Sequence, residues 1–151
     1  MNIRIFLASI FVFALCCAAV FYPFPAQSGD AIHKAAYKGK IERVQILLKN
    51  GVDFDERDSF GGTALHAAMF QDDIEVIRLL IEAGYDVDAQ GTSNGFTPLH
   101  DAVWANNYEG AKLLLESGAR LGIRSNRGFT PYEKAVNEGR TRIASLLKKE
   151  Q

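Results

Sequence analysis

Cysteine is almost missing from this 151-residue chain: Cys16 and Cys17 are the only two, side by side in an apolar N-terminal run. Everything beyond them lacks a thiol, which excludes disulfides, cysteine metal sites and cysteine nucleophiles from that part. No Asn-x-Ser/Thr glycosylation acceptor occurs either. The H-E-x-x-H zinc helix, the G-x-x-x-x-G-K-[ST] phosphate loop and the G-x-G-x-x-G dinucleotide turn are likewise absent. An enzymatic reading is left without support, and no cofactor is implied. Net charge is slight, −1, but it hides a striping. Residues 29–52 hold five basic and two acidic side chains, 53–111 hold two and twelve, and 112–151 hold nine and four. Nucleic-acid binding needs a continuous basic surface, and the acidic middle argues against it. That middle reads either as an ordinary solvated surface or as a face for a partner carrying basic groups.

The first 28 residues are a separate object. Arg4 gives a basic start, Ile5 to Tyr22 is an uncharged apolar run, and Pro23 and Pro25 break it. Ala26-Gln27-Ser28 then offers a small-residue cleavage site. The segment 1–28 is therefore expected to be a secretory signal peptide. The run also just reaches the length of a membrane span, so a retained N-terminal anchor is the alternative.

What the remainder has is a period. GFTPLH (95–100) returns as GGTALH (61–66) and GFTPYE (128–133), with a fainter copy, DAIHKAA, from Asp30. The equivalent residues His33, His66, His100 and Glu133 are separated by 33, 34 and 33 positions. Gly51, Gly84 and Gly118 each follow a histidine by eighteen residues, and apolar triplets recur at 46–48, 79–81 and 113–115. Thr97 suits a helix N-cap and Pro98 the first helical position, while Gly118 suits a left-handed C-cap. Leu99, Ala102 and Val103 share one helical face, and small residues there let a second helix, from Tyr108 to Leu115, approach closely. A unit of two helices and a turn cannot bury its own apolar face, so such units stack.

In period and motif the chain resembles the ankyrin repeat family over residues 29–151. The resemblance implies an all-α solenoid of about four stacked helix-turn-helix units with hairpin loops, over 29–57, 58–90, 91–124 and 125–151. The first and last units look like polar caps. Ankyrin repeats use the histidine to hold the helix start to the neighbouring turn, so His33, His66 and His100 are expected to be structural, with no metal bound. Gly91 to Gly95 matches G-x-S-x-G only by accident, because an inter-repeat hairpin precedes it and no buried strand does.

Family members bind other proteins through hairpin tips and the exposed end of the first helix. Carried onto this chain, those positions give Tyr37, Lys38, Phe70, Gln71 and Trp104 on the helices and Phe60, Asn94, Phe96, Arg127 and Phe129 on the hairpins. Tyr37, Phe70 and Trp104 are expected to form an aromatic row on the concave side, whereas Phe96 and Phe129 could simply pack their own turns. The expected function is non-enzymatic binding of another protein. An exported, thiol-free array of this family looks bacterial and periplasmic or secreted, with inner-membrane anchoring the alternative. An immunity-type inhibitor of a toxic effector, an accessory protein of a periplasmic enzyme and a membrane-tethered adaptor are the uses considered.

Overall fold

A computed structural model describes residues 30–150. The expected signal segment or anchor, with both cysteines, lies outside the described residues. Four helix pairs make up the described chain. They are α1 (Asp30–Tyr37) with α2 (Ile41–Lys49), α3 (Ala64–Ala68) with α4 (Ile74–Ala83), α5 (Pro98–Ala105) with α6 (Tyr108–Glu116), and α7 (Pro131–Asn137) with α8 (Thr141–Lys149). No strand occurs among the described residues. Each first helix packs on the next first helix and each second helix on the next second helix, which is the all-α solenoid of four units that the repeats predict.

Local chemistry sets the ends of these helices. Thr63, Thr97 and Thr130 have extended backbones just before α3, α5 and α7, and Pro98 and Pro131 open two of those helices. Gly84 and Gly118 follow the second helices at φ 109° and 88°, a region open to glycine without a side-chain clash. Packing then follows the register. Ala35, Ala68, Ala102 and Ala135 are buried where the second helix crosses, and Leu47, Leu80, Leu114 and Leu147 are buried on the facing helices. Each such leucine contributes about 1.5–3 kcal/mol by leaving water, most of it realised only when neighbouring units stack.

The hairpins stack as well. The Thr92 N–H donates to the Gly61 carbonyl at 2.9 Å, and the Asn126 N–H to the Asn94 carbonyl at 2.9 Å. A Cβ on Gly61 would lie 2.2 Å from the Thr92 hydroxyl oxygen, so this approach requires glycine. At the hairpin base Arg57 Nη1 donates to the Gln90 carbonyl at 2.8 Å, and Gln90 Nε2 donates to the Arg124 carbonyl at 3.0 Å.

One unit departs from the others. Asn106 takes the left-handed conformation after α5, at φ 57°, but its counterpart Asp72 does not, and α3 is only five residues long. The Gln71 side chain closes that turn instead. Its amide N–H donates to the Ala68 and Asp73 carbonyls at 3.1 and 2.8 Å, and its oxygen accepts from the Asp73 N–H.

Candidate functional site

The repeat brings one position of each first helix to the same face: Tyr37, Phe70, Trp104 and Asn137. The first three make a continuous row. Tyr37 and Phe70 have ring centroids 6.3 Å apart, and Phe70 meets Trp104 edge-on at 5.6 Å. They keep 56%, 39% and 53% of their surface in water, so the row is not core. Three exposed aromatics in contact form a patch of the kind that interfaces bury.

The other expected positions divide. Lys38 and Arg127 are exposed, and Phe60 stands at a hairpin tip, 80% exposed. Phe96 is half-buried and lies parallel to the His100 ring at 5.3 Å, packing its own turn. Phe129, with Tyr132 and Val136, lines an open depression of about 310 Å³ at the end of the solenoid. Asn94 braces its hairpin, since its Oδ1 accepts from the Phe96 N–H at 2.8 Å. Gln71 faces the turn it closes, so its amide is already engaged.

Two residues of this face escaped the sequence reading. One turn before the aromatic row runs a second row: Lys34, Ala67, Asp101 and Lys134. Lys134 Nζ sits 4.7 Å from the Phe96 centroid and 5.8 Å from that of Trp104, and pairs with Glu138. Asp101 is 6% exposed. Burial pushes its carboxyl up to about 7, against the pull of Lys134 and with a push from Asp58. The usable signal was the register itself, because each position three residues before an aromatic-row member shares its face.

The histidines are engaged with backbone. His66 Nδ1 accepts from the Thr63 N–H at 3.1 Å and lies 2.9 Å from its hydroxyl, while Nε2 meets the Phe96 carbonyl at 3.0 Å. His100 repeats the pattern with Thr97 and with the Phe129 carbonyl at 2.9 Å. His33 Nε2 meets the carbonyls of Gly62 and Glu56 at 3.1 Å. An acceptor at Nδ1 assigns the proton to Nε2, which therefore donates to the next unit. Burial lowers the pKa of His66 to about 4 and also lowers that of His100, keeping both rings neutral. Glu133 ends the series. Its carboxylate accepts from the Thr130 N–H at 2.9 Å and from Arg124 at 2.8 Å, so it caps its own helix without donating onward. Among the described residues no group of three or more His, Cys, Asp or Glu gathers as a metal site. Ser93 lies in the 92–94 turn, with neither the preceding strand nor the immediately following helix of a nucleophile elbow.

Stacked helix pairs, a ladder of capping histidines and an exposed face on the first helices define a repeat-built interaction module. The chain belongs to the ankyrin repeat family, whose model matches residues 32–125 as three copies. That family is a non-catalytic protein-interaction module. A comparison with curated proteins finds no match. The fourth unit, α7 and α8, lies largely beyond the matched residues and continues the same stacking.

Proposed function

We propose that this chain binds another protein through its concave face, the face of the first helices, and acts by covering or holding that protein without chemistry of its own. The observation that carries the reading is the contacting, half-exposed row Tyr37–Phe70–Trp104. An indole left in water adds little to folding, and burial by a partner is where it contributes. The place we propose is the periplasm, on the strength of Arg4, the apolar run after it and Ala26-Gln27-Ser28. The use we propose is inhibition of a toxic effector, because covering a surface is what a rigid face without catalytic groups can do.

The test is co-purification from the native host with Trp104→Ala beside Leu114→Ala. The first is expected to lose the partner while the fold persists, and the second to lose it by unfolding. Retention of the partner by Trp104→Ala contradicts the reading.

A further inference from the structure

Asp101 is the least expected side chain on this face. It stands one turn before Trp104 on α5 and is 6% exposed; no donor of the described residues reaches its carboxylate, and the oxygens are not sealed from water. The cation that bears on it, Lys134, forms no ion pair with it within 4 Å; that lysine is paired with Glu138 and held over the rings of Phe96 and Trp104. On the side of the second unit Asp58 adds a further negative field, with its Oδ1 engaged by the N–H groups of Phe60 and Gly62 at 2.9 and 3.0 Å. Between them in the register stands Ala67, a methyl group where its neighbours carry longer side chains. A carboxylate that is 6% exposed and has no protein donor is poorly solvated and costly to the free protein. Its oxygens, which still touch water, stay open to a group arriving from outside. Here it lies beside exposed aromatics, in a stretch with twelve acidic and two basic residues.

We propose that the aromatic row and Asp101 together form a socket for a lysine or arginine side chain of the partner protein. Its aliphatic stem lies across Phe70 and Trp104, and its cationic head reaches the Asp101 carboxylate beside Ala67. Each component has a physical role. The stem covers apolar ring surface, the rings attract the cation through their π faces, and the carboxylate gains the charged hydrogen bond that it lacks in the free chain. The acidic middle of the chain supplies the matching long-range field. This inference rests on the reading of the same face as protein-binding, and its test separates the two.

A displayed library of random linear peptides is selected on the full chain, and synthetic copies of the enriched peptides are titrated calorimetrically. The titrations use the wild type, Asp101→Asn and Trp104→Ala, each checked by thermal melting. The expected result is a basic residue in the peptide whose replacement by norleucine weakens binding about tenfold to the wild type and less than twofold to Asp101→Asn. Trp104→Ala is expected to weaken the same peptides at least thirtyfold. If replacing the basic residue costs the same against Asp101→Asn as against the wild type, the socket is wrong, while loss with Trp104→Ala leaves the binding face standing. Peptides indifferent to Trp104→Ala overturn both, and so does a selection that enriches none.

Discussion

His66 donates its Nε2–H to the carbonyl of Phe96 at 3.0 Å, and Phe96 is the residue immediately before Thr97, the cap of the next first helix. One imidazole thus caps its own helix through Nδ1 and fixes the position of the next helix through Nε2. His100 does the same toward Phe129, which directly precedes Thr130. The aromatic row depends on this ladder, because ring contacts at 5.6 and 6.3 Å require the first helices to keep their register.

Replacing His66 by alanine removes the link and leaves buried backbone groups without a partner. It is expected to lower unfolding stability by about 1–3 kcal/mol, measured by urea denaturation at pH 7.5. A wild-type midpoint would show that the ladder contributes nothing.

The same residue predicts an acid limb. Burial holds the folded pKa of His66 near 4, below the ordinary 6.5, so the unfolded chain binds the proton more readily. Its contribution is present in full above pH 6.5 and is lost as pH falls toward 4, by an amount on the order of 3 kcal/mol. Denaturation profiles from pH 8 to pH 4 should therefore fall more steeply for the wild type than for His66→Ala. Parallel profiles would contradict this.

Asp101 acts with the opposite sign. Its folded pKa is raised to about 7 from 3.8, so the folded state holds the proton more tightly. This contribution is fully present below pH 3.8 and is lost as pH rises to 7, leaving the ionised carboxylate as a cost. Lys134, which pulls the pKa down, and Asp58, which pushes it up, are the charges that bear on it. Asp101→Asn is expected to be more stable than the wild type at pH 8 by roughly 2–4 kcal/mol, with the difference shrinking toward pH 4. Equal stability at pH 8 would remove the argument that the carboxylate is held at a cost.

Glycines of positive φ, one at a helix end and one in a hairpin, should separate by neighbourhood. Gly51 and Gly61 both have positive φ, 81° and 83°, but a Cβ on Gly51 meets nothing within 4 Å, whereas one on Gly61 lies 2.2 Å from the Thr92 hydroxyl oxygen. Gly51→Ala is expected to cost about 1 kcal/mol from backbone strain alone. Gly61→Ala should cost at least twice that, because the stacked hairpins must separate. Similar denaturation midpoints would mean that the hairpins yield easily.

Much of this architecture is legible in the sequence because a repeat states its own register. The 33- and 34-residue steps place the histidines in one ladder, the buried alanines in one seam and Tyr37, Phe70 and Trp104 in one row. Where a residue answers to a neighbour rather than to the repeat, the register is silent. Gln71 occupies a position that usually faces outward, but Asp72 does not take the left-handed conformation of Asn106, and the glutamine amide closes the turn. Lys134 reads as a solvated cation of the last unit, yet its reach to Phe96 and Trp104 brings it between units. The register places Asp101 on the face of the aromatic row, but its burial goes against its polarity and is set by the neighbouring units.

The central claim is that a protein occupies the face of the first helices, and site-specific photo-crosslinking in the native host tests it most directly. The photoreactive phenylalanine analogue p-benzoylphenylalanine is placed at Phe70, in the middle of the row, and in a second strain at Glu116, exposed at the end of α6. One discrete protein adduct is expected from position 70 on illumination, lost when Trp104→Ala is added, and none from position 116. No adduct at position 70, or the same adduct from both positions, would contradict it.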